Sequence, residues 1–116
     1  MLVVDDSEVF RNVMSAVVAA TPGFEVVGAG SSGREALALI DSLGPHLVLL
    51  DLYMPELDGI ETALCIRRRR PATVVLLLTA ARRAHLADRW LRVEDKRDLS
   101  PGWLADYWQR YGSRLS

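Results

Sequence analysis

Two unbroken aliphatic runs, HLVLLD at 46–51 and TVVLLLT at 73–79, constrain the fold of this chain more than any other feature. Neither run alternates apolar with polar residues, and each has the length of one strand. Strands without alternation are typical of a parallel sheet that is covered by helices on both faces. We therefore predict two central, doubly buried strands in an α/β domain.

The segments around these two runs follow the same alternation of strand and helix. Predicted strands lie at 2–4, 24–30, 46–51 and 73–79, and the segments between them carry apolar residues at helical spacing, over 9–18, 34–43 and 60–70. Asp6 or Ser7 is the expected N-cap of the first helix. The order β-α-β-α-β-α-β predicts a parallel sheet with right-handed crossovers and helices on both faces.

The last third of the chain allows two interpretations. If RWLRV at 89–93 is a fifth strand, only about nine residues remain for the crossover, fewer than the ~10–12 that such a connection normally needs. Alternatively, 82–93 is itself a helix with Trp90 on its apolar face. We favour the strand with a truncated crossover. Ser100 and Pro101 then predict the N-cap and first residue of an amphipathic last helix.

Composition excludes several functional classes. The net charge is −1, from 14 basic and 15 acidic residues, so no general attraction to nucleic acid or to anionic membranes is expected. We interpret the run Arg67–Arg70 as the basic end of an exposed helix. No apolar run approaches the ~20 residues of a membrane span. The single Cys65 suits a reducing compartment, and we expect a cytoplasmic protein.

Polar residues follow the predicted strands at the points where the strands end. Asp5 and Asp6 follow the first strand, Asp51 ends the third and Thr79 ends the fourth. In parallel sheets, ligands bind beyond the carboxyl ends of the strands. We therefore expect these carboxylates and the hydroxyl to meet in one crevice.

The combination of three motifs resembles the receiver domain of two-component response regulators. The motifs are VVDDS at 3–7, LVLLDLYMPELDG at 47–59 and VVLLLTA at 74–80. The resemblance is close over residues 1–79 and looser up to the end. It implies one receiver domain over 1–116, with a flavodoxin-like, three-layer, doubly wound parallel sheet. The region of the fourth helix and fifth strand is expected to be shortened or irregular.

The resemblance implies roles for the acidic residues. Asp51 matches the phosphoacceptor, and Asp5 and Asp6 match the acidic pair that binds Mg²⁺ together with Asp51. The backbone carbonyl of Tyr53 is the further metal ligand that the family implies. Elementary chemistry agrees, because a carboxylate can attack phosphorus and Mg²⁺ prefers a few carboxylates with water and phosphate oxygens.

Three further residues receive roles by resemblance. Thr79 matches the hydroxyl residue that hydrogen-bonds the phosphoryl group and begins the switch. Lys96 is the candidate for the family's lysine, because KRDLSP resembles the usual turn into the last helix. Trp90 is the aromatic residue expected to move with Thr79, provided that it lies in a fifth strand.

The function implied is a phosphoacceptor that takes a phosphoryl group from a histidine kinase or phosphotransfer protein and then acts on a downstream protein. It catalyses only its own phosphorylation and dephosphorylation, contacts neither nucleic acid nor membrane directly, and allows a homodimer. The alternative is a degenerate receiver that binds proteins without phosphorylation. A weaker alternative is an aspartyl-phosphate hydrolase, which usually carries a second aspartate where this chain has Tyr53.

Overall fold

A computed structural model describes residues 1–54, 57–80 and 92–112 of the chain. The strands are β1 (Leu2–Val4), β2 (Gly28–Gly30), β3 (Leu47–Asp51), β4 (Val74–Thr79) and β5 (Arg92–Asp95). The helices are α1 (Glu8–Ala19), α2 (Gly33–Leu43), α3 (Gly59–Arg69) and α4 (Pro101–Tyr111), with a short 3-10 helix at Lys96–Asp98. All strand pairs are parallel, in the order β2-β1-β3-β4-β5. This is the flavodoxin-like doubly wound order, and it confirms the predicted fold class.

Alternate residues of the central strands enter two separate hydrophobic cores. Val48 and Leu50 of β3 pack on the side of α2 and α3, whereas Leu47 and Leu49 pack on the side of α1 and α4. Both faces of β3 are therefore covered by helices. This explains why the run at 46–51 shows no polar alternation.

Local capping sets where the helices begin and end. Each of the four α-helices in the described part of the chain has an N-cap side chain that accepts a hydrogen bond from a backbone amide in the first turn, namely Ser7, Ser32, Asp58 and Ser100. The expected caps at Ser7 and Ser100 are thus confirmed. Gly44 ends α2 in the left-handed conformation, with φ of 54°, which glycine adopts without steric cost.

The second strand is shorter than the predicted span 24–30. Its register pairs Leu2, the first residue of β1, with Gly28, so residues before Gly28 face no residue of β1. The Val27 amide still donates to the Met1 carbonyl, but the chain at Phe24 is folded into a turn in which its amide donates to Thr21. The predicted start of this strand was therefore wrong. The length of β2 is set by the residues of β1 with which it can form hydrogen bonds, and not by its own composition.

The fifth strand exists, and it includes the last two residues of the predicted span 89–93; residues 89–91 lie outside the described part of the chain. It runs from Arg92 to Asp95 and pairs with Leu76–Thr79 of β4. The alternative helix over 82–93 is therefore wrong at 92 and 93; its remainder, with Trp90, lies outside the described residues. None of the helices described is long and apolar enough to cross a membrane.

Candidate functional site

The five described strands are parallel and therefore all end at the same edge of the sheet, where four of them bring a polar residue predicted for the site. Asp5 follows β1 directly, Asp51 is the last residue of β3, Thr79 is the last residue of β4, and Lys96 follows β5. The parallel registers bring these strand ends level with one another. The predicted convergence of sequence-distant residues is therefore what the fold produces.

The carboxylates of Asp5, Asp6 and Asp51 form one cluster, in which one oxygen of each lies within 4.8 Å of the others. Asp5 is fully buried, Asp51 is 5% exposed, and Asp6 is exposed. The loop that carries the acidic pair is held at two points. The Ser7 amide donates to Asp5 Oδ1 at 2.9 Å, and Arg11 Nη1 donates to the Asp5 carbonyl at 2.7 Å.

The structure places the Lys96 side chain in the same site. Its Nζ lies 2.7 Å from Asp5 Oδ2 and 3.3 Å from Asp51 Oδ1, and the side chain is only 14% exposed. Lys96 begins the 3-10 helix Lys96–Asp98 immediately after β5. The short helix therefore fixes the lysine at the carboxyl edge of the sheet, next to both buried carboxylates.

The charges of the site are unbalanced, with three carboxylates facing one ammonium. Burial and the charge of Asp5 raise the pKa of Asp51 from its ordinary 3.8 to about 6, against the opposing effect of Lys96. The pKa of Lys96 is also raised. Partial burial disfavours its charged form, but the hydrogen bond to Asp5 and the charges of Asp51 and Asp5 outweigh that effect. The site therefore favours binding of further positive charge.

The loop after Asp51 is fixed by backbone contacts. The Leu52 amide donates to the Leu78 carbonyl, and the Gly59 amide donates to the Leu52 carbonyl, both at 2.9 Å. A Cβ at Gly59 would collide with the backbone carbonyl of Asp51, so only glycine permits this close approach of α3. The side chain of Asp58 caps α3, since its Oδ1 accepts a hydrogen bond from the Glu61 amide at 2.9 Å.

Three other residues are predicted for the site, and they differ in their exposure and in whether the structure describes them. Thr79 is fully buried and lies one position beyond Leu78, the residue that pairs with Asp51 on the neighbouring strand. Tyr53 follows Asp51 by two residues, and it is 56% exposed. Trp90 lies outside the described residues, so its switch role stays a prediction.

Sequence reasoning missed one aromatic contact of the site. The ring centroid of Phe10, on α1, lies 4.1 Å from Lys96 Nζ. In the sequence Phe10 is only one more apolar residue at helical spacing. No signal in the sequence connects it with a lysine near the other end of the chain.

One other sequence interpretation concerns the last turn of α3. The basic run Arg67–Arg70 ends this helix and is exposed, as predicted; Arg69 forms a salt bridge of 3.0 Å with Asp41. Cys65 is half-buried.

This combination of fold and site defines a class: a doubly wound parallel sheet whose carboxyl edge carries a buried aspartate, an acidic pair and a lysine. The chain matches the family model of the response regulator receiver domain over residues 1–97. It therefore belongs to the response regulator receiver family, and the predicted resemblance is confirmed.

The curated proteins that are similar to this chain are longer than it is. The chain is 45% identical over 80 residues to protein-glutamate methylesterase/protein-glutamine glutaminase 2 of Anaeromyxobacter dehalogenans, which covers 69% of this chain and 23% of that protein. It is 41% identical over 80 residues to the response regulator protein VraR of Staphylococcus aureus, covering 69% of this chain and 38% of VraR. The chain thus spans well under half the length of these relatives.

Solved structures agree on the fold over almost the whole chain. The signal receiver domain of the response regulator NarL from Mycobacterium tuberculosis superposes with a TM-score of 0.83 at 24% identity, covering 97% of this chain and 94% of that one. The chemotaxis protein CheY4 of Vibrio cholerae has a TM-score of 0.77 at 26% identity, with 94% of each chain covered.

Proposed function

We propose that this receiver domain accepts a phosphoryl group on Asp51, in a Mg²⁺-dependent reaction, from a histidine kinase or phosphotransfer protein. One observation carries the proposal. The carboxylate of Asp51 lies both in the cluster with Asp5 and Asp6, within 4.8 Å, and 3.3 Å from the Lys96 ammonium. A nucleophile placed between a cation-binding cluster and a fixed positive charge is suited to a group that carries negative oxygens.

The donor set fits Mg²⁺. Oxygen ligands lie about 2.1 Å from this ion, so two opposite ligands are about 4.2 Å apart. The carboxylate oxygens of Asp5, Asp6 and Asp51 lie within 4.8 Å of one another, close to that span. The resemblance adds the backbone carbonyl of Tyr53 as a further ligand. When bound, the ion neutralises the negative charge that develops between the carboxylate and the phosphoryl oxygens.

The residues of the chain then have separate tasks. An oxygen of Asp51 forms a bond to phosphorus while the bond from phosphorus to the donor's nitrogen or oxygen breaks, and the donor keeps the electron pair. Lys96 balances the charge of a phosphoryl oxygen, and the Thr79 hydroxyl donates a hydrogen bond to another. Movement of Thr79, followed by Trp90, is the proposed switch that alters the surface bound by a downstream protein.

The wider role follows from family membership and remains part of the proposal. We infer a cytoplasmic domain that catalyses only its own phosphorylation and dephosphorylation, without direct contact with nucleic acid or membrane. A homodimer is one form in which the altered surface can act. Residues 1–116 are proposed as a single receiver domain.

The decisive experiment is incubation with acetyl phosphate and Mg²⁺, followed by mass spectrometry of the intact protein. We expect the mass of one added phosphoryl group, which is absent in Asp51→Asn and absent when EDTA replaces Mg²⁺. The matched control is Asp106→Asn, because Asp106 is an exposed aspartate in α4 and lies outside the cluster. No modification would favour the degenerate receiver, and rapid release of free phosphate would favour the hydrolase.

A further inference from the structure

The ammonium of Lys96 has an aromatic neighbour as well as acidic ones. An ammonium carries three donors, and here Asp5 Oδ2 lies at 2.7 Å and Asp51 Oδ1 at 3.3 Å. The ring centroid of Phe10 lies 4.1 Å from the same nitrogen. The ammonium is therefore held between a ring and two carboxylates, in a site that leaves little of the side chain exposed.

The position of the Phe10 ring is set by α1 and not by the acidic cluster. Phe10 shares the core-facing side of the helix with Met14 and Val18, at spacings of four residues, and it packs against the same hydrophobic core. The N-cap hydrogen bond of this helix, from the Phe10 amide to Ser7 Oγ, is 3.3 Å long. The backbone at Phe10 is thus anchored at the first turn, next to the acidic loop.

We propose that Phe10 is a positioning residue that holds the Lys96 ammonium at the site through the face of its ring. An ammonium within about 6 Å of a ring centroid is attracted by the ring quadrupole, whereas an aliphatic side chain of similar size offers no such attraction. This inference rests on the proposed function.

The ring differs from the carboxylate partners in what happens during the reaction. Phosphorylation of Asp51 and cation binding by Asp5 change the charge and the hydrogen bonding of both carboxylates that face Lys96. The Phe10 ring takes no part in those changes. The ring therefore keeps the ammonium within reach of the phosphoryl oxygens when Asp5 binds a cation and Asp51 carries the phosphoryl group.

A double-mutant cycle between Phe10→Leu and Lys96→Met tests this role. Leucine preserves apolar packing without the ring, and methionine preserves the side-chain stem without the charge. In urea unfolding with EDTA, we expect the two changes to be coupled by about two- to five-fold in the unfolding equilibrium constant. Phe24→Leu is the matched control, because Phe24 contacts Trp108 and lies outside the site. It should show no coupling to Lys96→Met.

Phosphorylation by acetyl phosphate and Mg²⁺ supplies the second measurement. Phe10→Leu should slow the reaction about two- to five-fold when Lys96 is present and cause no further loss in the Lys96→Met background. Phe10→Tyr, which retains the ring, should restore the rate.

Additive effects on unfolding overturn the proposal, and so does equal slowing in both backgrounds, since Phe10 would then only pack. If the unsubstituted domain is not phosphorylated at all, the proposed function fails. The double-mutant cycle in urea unfolding still tests the contact between Phe10 and Lys96 in that case: coupling supports the ring–ammonium interaction, and additivity overturns it.

Discussion

Replacing Asp51 by asparagine should stabilise the metal-free domain, because the native carboxylate is held in an unfavourable environment. Burial and the charge of Asp5 raise its pKa from 3.8 to about 6. The folded state therefore binds this proton more tightly than the unfolded state does. Stability contributed by the protonated form is complete below pH 3.8 and is lost as the pH rises through about 6.

The magnitude follows from the two pKa values. They differ by about 2 units, and each unit equals about 1.36 kcal/mol, so the penalty above pH 6 is at most about 3 kcal/mol. This penalty is a net value that already includes the favourable contact of the charged carboxylate with Lys96, 3.3 Å away. We expect Asp51→Asn to raise the free energy of unfolding by about 1–3 kcal/mol at pH 7.5.

The assay is urea unfolding of both proteins in EDTA at pH 7.5 and at pH 4. The gain should be present at pH 7.5 and should largely disappear at pH 4, where both side chains are neutral. Asp106→Asn, at an exposed aspartate, should change stability by less than about 1 kcal/mol at either pH. An Asp51→Asn protein that is no more stable than wild type at pH 7.5, or equally stabilised at both pH values, would refute the electrostatic reasoning.

Three further substitutions test the site. Lys96→Met should lower the free energy of unfolding by about 2 kcal/mol at pH 7.5 in EDTA, because it leaves the buried Asp5 carboxylate without its cation. The control is Arg97→Met, at a side chain that is 85% exposed. Equal losses of stability in the two variants would contradict the argument. Gly59→Ala should cost about 1–3 kcal/mol in urea unfolding, since its Cβ meets the backbone after β3. Gly102→Ala is the control: it lies in α4, its Cβ meets nothing within 4 Å, and it should cost nothing, because alanine favours a helix more than glycine does. Tyr53→Ala should shorten the lifetime of the phosphorylated domain, measured by radiolabel decay, if the exposed ring hinders an attacking water; equal lifetimes would exclude that role.

Local sequence patterns predicted much of the fold because the forces involved act over a few residues. The caps at Ser7 and Ser100 and the doubly buried run of β3 depend on near neighbours in the chain. The edge of the sheet at which the strands carrying Asp51 and Thr79 end followed from the order of the elements alone, because parallel strands all present their carboxyl ends there.

The predicted strand bounds were wrong where they depend on pairing with a strand that is distant in the sequence. The segment at 24–30 has a strand-like composition throughout, yet only Gly28–Gly30 pair with β1. The predicted fifth strand ended two residues too soon, because the end of the strand depends on its register with β4, in which Asp95 pairs with Thr79. The same register places Lys96 directly after β5, beside the predicted acidic residues, and its role in the reaction stays a prediction.

The sequence by itself determined the class of fold, the family and the acidic residues of the site, since all of these follow from short motifs and from the order of the strands. Only the tertiary structure decided that Lys96 lies against Asp5 and Asp51, and that the ring of Phe10 lies against Lys96. Those contacts depend on the rotation of α1 and on the register of β5. Such geometry is set by packing across the whole domain and leaves no local pattern in the chain.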